Sequence, residues 1–107
     1  MENDRLSGLL GLCQRAGKLQ SGADLALKAI RGGSCRLALL DADAAPSTVK
    51  KITDACIYYR VSLITLPADL LSSACGREGR MAAAVLDPGF AEAMKPLCSA
   101  NETIQTK

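Results

Sequence analysis

The sequence predicts an α/β protein, a three-layer α/β/α sandwich with a mixed four-stranded sheet. Segments with helical spacing of their apolar residues alternate along the chain with short strands. The strands are apolar on both faces and therefore need helices on both sides of the sheet. Of the 107 residues, 49% are hydrophobic and 22% are charged, which suits one compact domain with a packed core.

Two helices and two strands are predicted in the first part of the chain. Residues 6–13 have apolar side chains at i, i+3, i+4 and i+7, and Gly17 is placed for the left-handed C-terminal cap of this helix. A short strand at residues 18–20 and a turn lead into a second helix over residues 23–30. The apolar run at residues 36–40 predicts a buried strand.

A third and a fourth helix flank the next predicted strand, residues 61–66. Pro46 suits the first turn of the third helix, and a short fourth helix is expected over residues 67–74. The core face of the third helix is expected to consist of Val49, Ile52, Cys56 and Tyr59.

The last helix has a clear start signal. It follows the fourth predicted strand, residues 82–86, and begins at Asp87-Pro88, because Asp is a favoured N-cap and Pro suits the first helical turn. Residues 1–98 are therefore expected to form a single domain. The polar, aperiodic residues 99–107 are expected to form a flexible C-terminal tail.

The residue inventory argues against catalysis. The chain has no histidine, which excludes Ser-His-Asp and Cys-His arrangements, and it has neither a GxxxxGKS/T nor a GxGxxG phosphate-binding motif. Asp41 and Asp43 follow a predicted strand, where paired acids are able to bind a divalent cation in a phosphoacceptor protein. A polar turn with a helix cap is the preferred interpretation, and no enzyme activity, cofactor or metal is expected.

Cysteine content and hydropathy predict the cellular location. The five cysteines form no CxxC pair, and there is no export signal, which indicates the reducing cytoplasm. No run approaches the ~20 apolar residues of a membrane span, so no membrane contact is expected, and a monomer is the default. The aromatic residues, one Phe and two Tyr, are too few to predict an aromatic platform for stacked bases.

Positive charge is concentrated in the first third of the chain. The net charge of +2 is too small to indicate nucleic-acid binding by itself. However, residues 1–36 contain six basic and three acidic side chains, whereas the remaining residues contain seven and eight.

The Gly17–Lys28 segment lies in this basic part and is the first candidate site. Its two glycines permit close approach, and the helix that starts near Gly22 directs unpaired N–H groups outward, where phosphate binds. Arg15, Lys18 and Lys28 are expected around that helix start. An ordinary turn with solvated charges fits the same residues equally well.

A second candidate loop, Gly76–Ala82, contains two arginines, two glycines and a methionine. Taken alone, this composition is typical of a surface turn. A functional interpretation is favoured only if the loop lies beside Gly22 in space.

These residues also resemble a known family. The run LLGLCQRAGKLQSG (Leu9–Gly22), continued by ADLALKAI (Ala23–Ile30), resembles the bacterial YlxQ-type branch of the ribosomal-protein superfamily that binds kink-turn RNA, whose better-known members are large-subunit proteins seven-Ae and thirty-e. The agreement extends over about residues 5–97. It includes the segments RLALLDADA, TVKKITDACIYYRV and GREGRMAAAVLDPGFA.

The resemblance implies an α/β/α sandwich whose second helix enters the groove of a bent RNA. By position, Gly22 is the close-approach glycine, Asp24 and Leu25 are the base-reading pair, Lys28 lies near the RNA backbone, and the loop Gly79–Ala82 covers a nucleotide that flips out of the bend. The expected RNA contacts are Arg15, Lys18, Ser21, Gly22, Asp24, Leu25, Lys28, Arg80, Met81 and Ala82.

The sequence departs from the family at the base-reading pair. Archaeal-type members have Asn-Glu where this chain has Asp24-Leu25. Asp24 keeps acceptors for a guanine edge, but Leu25 forms no hydrogen bond, and one lost base contact costs about 1–3 kcal/mol. The leading hypothesis is a non-catalytic, ribosomal-protein-like RNA-binding protein, associated with the ribosome or its assembly. The alternative is a protein-interaction or regulatory α/β module with a decayed RNA site.

Overall fold

The computed structural model describes residues 2–68, 70–76, 81–94 and 102–104. In these ranges helices and strands alternate as predicted, and no helix combines the length and apolar character of a membrane span. The helices are α1 (Glu2–Arg15), α2 (Ala23–Gly32), α3 (Pro46–Tyr59), α4 (Leu70–Cys75) and α5 (Pro88–Met94). The strands are β1 (Leu19–Ser21), β2 (Leu37–Asp41), β3 (Leu63–Leu66), β4 (Ala82–Val85) and β5 (Glu102–Ile104).

The strands form one mixed sheet with the order β1-β4-β2-β3-β5. Strands β2 and β3 are parallel, with Ala38 opposite Leu63, and the other neighbours are antiparallel. All four predicted strands are present, which confirms the mixed α/β sheet. The segment predicted to be a tail contributes the additional edge strand β5, which pairs with β3.

Helices cover both faces of the sheet, so the three-layer prediction is confirmed. On one face, α1, α4 and α5 pack against the strands, and we call this layer the α1-side core. On the other face, α2 and α3 form the α2-side core. Strand β2 contributes to both, because Leu37 and Leu39 point into the α1-side core, whereas Ala38 and Leu40 point into the α2-side core.

The predicted core face of α3 was wrong at its two ends. Ile52 and Cys56 are fully buried, and Ala55 joins them, but Val49 and Tyr59 are more than one third exposed. The buried stripe is formed by residues 52, 55 and 56, and because a helix turns 100° per residue, Val49 lies at its margin. Tyr59, seven residues after Ile52, lies on the same face as Ile52 but at the end of the helix.

Candidate nucleic-acid interface

Helix α1 ends in a left-handed cap at Gly17, as the sequence predicts, and the chain then enters β1. This glycine has φ 73°, in the left-handed region. Its N–H donates to the Gln14 carbonyl at 3.0 Å, and the Lys18 N–H donates to the Cys13 carbonyl at 2.9 Å. These two bonds form a Schellman motif, which turns the chain sharply into β1.

Helix α2 begins at a glycine that no side chain caps. Gly22 occupies the N-cap position with φ 109° and ψ 141°, a conformation that L-residues rarely adopt. The first N–H groups of an α-helix have no acceptor within the helix, and here the N-cap residue has no side chain to accept from them. The start of α2 is therefore open to an external acceptor such as a phosphate oxygen.

The start of β4, with Met81 before it, lies directly beside this helix start. The Gly22 N–H donates to the Ala82 carbonyl at 2.7 Å, and Ser21 lies opposite Ala83 in the β1–β4 register. The Met81 carbonyl accepts a bond from the Asp41 N–H at 2.8 Å, and the Met81 side chain is half-buried. The two candidate segments thus meet in space. Gly79 and Arg80 lie outside the described residues.

One flank of α2 forms a groove that contains two of the expected contact residues. Leu25, 48% exposed, and Lys28, exposed, line a groove of about 300 Å³. Gln20 on β1 and Leu86 line the opposite wall. Gln20 was not predicted as a contact residue. Its polar side chain follows the buried Leu19, and this alternation in β1 is the signal that could have placed Gln20 on an accessible face of the strand.

Asp24 lies on the other flank of α2. It borders a cleft of about 110 Å³ between α2 and α3, together with Thr48 and Lys51. The consecutive residues Asp24 and Leu25 therefore face different grooves, separated by the helix itself. This arrangement limits how both side chains are able to contact one base pair.

The two remaining expected contacts lie farther from the start of α2. The Lys18 carbonyl accepts a bond from the Leu86 N–H at 2.8 Å, at the far end of the β1–β4 pair, which is roughly 10 Å from Ser21 at the rise of a strand. Arg15 borders a separate groove of about 780 Å³ along α1, with Arg5 and Leu12. The described residues thus bring together Ser21, Gly22, Met81 and Ala82, with Leu25 and Lys28 on one flank.

Asp41 and Asp43 form a turn, as their sequence predicts, but the expected helix cap is wrong, because the N-cap of α3 is Ala45 and no side chain caps that helix. Asp41 is 2% exposed, and its Oδ1 accepts the Asp43 N–H at 2.7 Å, which is an Asx-type turn. Among the residues that the structure describes, no three metal-ligating side chains are grouped. The carboxylate of Asp41 thus has a role in closing the turn after β2.

The fold and the site define a class of small α/β/α proteins with an exposed, glycine-initiated second helix beside the start of a central strand. The chain belongs to the ribosomal protein L7Ae/L30e/S12e/Gadd45 family, whose family model matches residues 4–95.

Two relatives carry the name RNA-binding protein YlxQ. The protein of Bacillus subtilis (strain 168) is 45% identical over 84 residues, which cover 78% of this chain and 84% of the relative. The protein of Enterococcus faecium is 33% identical over 89 residues, covering 83% and 86%. These relatives confirm the predicted YlxQ-type membership.

Solved structures agree with this fold. A Bacillus halodurans C protein, described as a protein with unknown function, superposes with a TM-score of 0.80 at 34% identity and covers 86% of this chain and 93% of its own. The Giardia lamblia 15.5kD RNA binding protein superposes with a TM-score of 0.75 at 20% identity, covering 94% and 88%. At that identity the second likeness supports the fold alone.

Proposed function

We propose that this protein is a non-catalytic RNA-binding protein that recognises bent, kink-turn-type RNA through the start of α2 and the residues before β4. One observation supports this most directly: the 2.7 Å bond from the Gly22 N–H to the Ala82 carbonyl, which joins the two candidate segments into one surface. The name of the two YlxQ relatives, RNA-binding protein, supports the same class of ligand.

The chemistry of the surface suits a bent RNA backbone. The positive end of the α2 dipole and its open N–H groups attract a phosphate, and Gly22 has no side chain to keep the RNA away. Lys28, exposed about one and a half turns into the helix, neutralises a second phosphate. Such contacts select the shape of the RNA more than its sequence.

Base reading is the weaker part of this surface. Asp24 accepts hydrogen bonds from a guanine edge, whereas the apolar Leu25 packs against a base or sugar without selecting it. Met81, with Arg80, covers the extruded nucleotide, whereas Ala82 is fully buried in the α2-side core and contributes by accepting the Gly22 N–H. The expected partner is ribosomal RNA or another kink-turn-containing RNA, bound by a cytoplasmic monomer on the ribosome or during its assembly.

The experiment compares a kink-turn RNA with a straight duplex of the same length. Wild-type protein is expected to prefer the kink-turn RNA. Lys28→Ala is expected to weaken binding of this RNA. It should also reduce the steepness of the plot of log K against log salt by about 0.7–0.9, the value for the loss of one phosphate contact. Arg5→Ala removes an exposed cation on α1, on the other face of the sheet, and is the matched control.

Two results would contradict the proposal. Equal affinity for the straight duplex would leave only general attraction between charges. If neither RNA binds, the exposed Leu25 favours the alternative, a protein-interaction module, and a binding partner should then be lost on Leu25→Ser.

The base-reading pair can be tested by exchange. Replacing Asp24-Leu25 with Asn-Glu, the archaeal-type residues, is expected to raise affinity for a standard kink turn about fivefold or more, because one base contact is typically worth about 1–3 kcal/mol. The measurement is a titration with that RNA and with a variant that lacks the sheared G·A pairs. An equal gain on both RNAs would argue against base reading at these positions.

A further inference from the structure

The opposite end of α2 carries a surface that the proposed site does not use. Its centre is the pair Tyr58 and Tyr59 at the end of α3, which are 79% and 43% exposed. Their ring centroids lie 4.8 Å apart with an interplanar angle of 76°. These are the only two tyrosines of a chain that has no tryptophan. Sequence composition predicted no aromatic platform, yet the fold leaves both of these adjacent tyrosines exposed at the surface.

Two clefts meet at Tyr59. The first, about 560 Å³, lies between α2 and α3 and includes Arg31, Lys51 and Tyr58. The second, about 290 Å³, includes Arg36 and the end of α3. Tyr59 therefore borders both clefts.

The side chains around the rings make this surface strongly positive. Four exposed cations border the two clefts. The acidic residue in the first cleft, Asp54, accepts a bond from the Lys50 ammonium at 3.2 Å, and this ion pair reduces its negative field. The four cations are Arg31, Arg36, Lys51 and Arg60.

Arg60 has a backbone conformation that favours glycine. Its φ is 57° at the C-cap of α3, and the next N–H, of Val61, donates to the Cys56 carbonyl at 2.9 Å. The other C-cap in this region, Gly33, has the same left-handed geometry with a glycine. An arginine at position 60 is therefore less favourable for folding than a glycine, while it adds a cation beside Tyr59.

We infer that this surface, the Tyr58–Arg60 platform with Arg31, Arg36 and Lys51, is a second RNA contact that binds unpaired nucleotides. Unpaired RNA has bases that stack on exposed aromatic rings and phosphates that bind the surrounding cations. Helix α2 has ten residues and is thus about 15 Å long, so a strand that leaves the RNA at Gly22 reaches the platform along one helix. The inference rests on the proposed RNA binding and adds a single-stranded extension to its ligand.

The test uses the kink-turn RNA alone and the same RNA with six unpaired nucleotides added at the 5′ or at the 3′ end. We expect one of the two extensions to raise the affinity of the wild-type protein at least about fivefold. This factor corresponds to the lower end of the free energy with which one base stacks on an aromatic side chain. Tyr58→Ala should abolish this gain and leave binding of the unextended RNA unchanged, whereas Tyr58→Phe should retain it. Ile57→Ala, an exposed residue on the same helix, is the matched control.

Arg60→Gly separates binding from folding. This variant is expected to be at least as stable as the wild type, because glycine adopts φ 57° without strain, yet to lose much of the gain from the extension. A loss of binding that accompanies increased stability cannot come from unfolding.

Tyrosine fluorescence provides a second, local readout, because all tyrosine emission of this chain comes from the platform. The extended RNA should quench this emission more than the unextended RNA, with free tyrosine as the correction for light absorbed by the RNA. If the unextended RNA binds but the extension changes neither affinity nor emission, the inference is wrong while the proposed function stands. Self-association that is lost in Tyr58→Ala, without any effect on RNA, would also overturn it and assign the platform to a second copy of the chain. If the unextended RNA does not bind, the proposed function itself fails.

Discussion

Gly22 links the fold to the candidate interface through one conformational requirement. With φ 109°, its backbone starts α2 and at the same time directs its N–H to the Ala82 carbonyl. A side chain at this position would strain the backbone. The conformation of Gly22 therefore determines both the stability of the helix start and its contact with β4.

Gly22→Ala is expected to lower the free energy of unfolding by about 1–3 kcal/mol, the typical cost of a non-glycine residue in such a conformation. Gly8→Ala is the matched control, since Gly8 lies within α1 and a Cβ there would meet nothing within 4 Å. This control should be neutral or stabilising by up to about 1 kcal/mol. Urea unfolding of both variants gives the comparison, and equal stabilities would contradict the strained geometry.

Cys35 and Cys56 are buried thiols whose acidity depends on packing. Burial raises the pKa of Cys35 to about 11, although backbone hydrogen bonds from Leu37 and Val85 oppose the rise. Burial, and secondarily the nearby Cys35, raises the pKa of Cys56 to about 12. Both thiols therefore stay protonated at neutral pH and behave as small apolar groups of the α2-side core.

This pKa difference predicts a loss of stability in alkali. Unfolded thiols ionise near pH 9.0, whereas the folded thiols keep their protons until about pH 11 and 12. As the pH rises above 9, the unfolded state loses protons first, so each thiol lowers the free energy of unfolding by up to about 1.4 kcal/mol per pH unit. The double variant Cys35→Ala/Cys56→Ala should have a flatter stability profile from pH 8 to 11 in urea titrations. Parallel profiles would refute the assignment.

Helix α5 depends on one local hydrogen bond. The Phe90 N–H donates to the Asp87 carboxylate at 3.0 Å, and this bond caps a helix of only seven residues. Asp87→Ala should therefore reduce the free energy of unfolding by about 1 kcal/mol, while Asp87→Asn, which retains an acceptor, should cost less. Thermal unfolding of the two variants is the measurement. Equal losses would mean that the charge, and not the acceptor, stabilises the helix start.

The success of sequence reasoning differed between elements for a physical reason. The end of α1 at Gly17, Pro46 in the first turn of α3, and the Asp87 cap are signals that act within a few residues, and each was predicted. Strand β5 was not predicted, because its pairing with β3 comes from residues about forty positions away, and its own sequence is polar. Long-range pairing has no local signature.

The candidate site divides in the same way. The glycine-started helix at Gly22 could be identified from spacing and composition alone. The contact of Gly22 with Ala82, sixty positions later, could not be predicted from the sequence, because it depends on the pairing of β1 with β4 in the sheet. The sequence indicated only that a function for the second loop requires such a contact. The tyrosine platform was missed because the helical period assigned Tyr59 to the core, and a position at the end of α3 projects beyond the layer that it should cover.

The whole molecule is organised as two apolar cores that share one sheet. Alternate residues of β2 and β4 enter opposite cores, for example Ala83 on the α1 side and Ala84 on the α2 side. Neither core is enclosed without the strands that complete the other. We therefore expect the two cores to unfold together in one transition.

This cooperativity can be tested with a substitution on one side and a reporter on the other. Leu10→Ala, at a fully buried position of the α1-side core, should lower the free energy of unfolding by about 2–5 kcal/mol. Leu12→Ala on the same helix, at a 54% exposed position, should have little effect. Tyrosine emission arises only from α3, on the far face of the sheet, whereas far-ultraviolet circular dichroism reports all helices.

If the sheet couples the cores, Leu10→Ala shifts the urea midpoint of tyrosine emission by the same amount as the midpoint of circular dichroism. The physical reason is that losing the α1-side cover exposes Leu37 and Leu39 on β2, so the strand that supports the α2-side core is destabilised as well. A tyrosine transition that stays at its wild-type midpoint while circular dichroism shifts would mean that α2, α3 and their strands fold independently. The platform, at the end of α3 beside α2, and the Gly22 surface, at the start of α2, would then belong to one autonomous half of the protein.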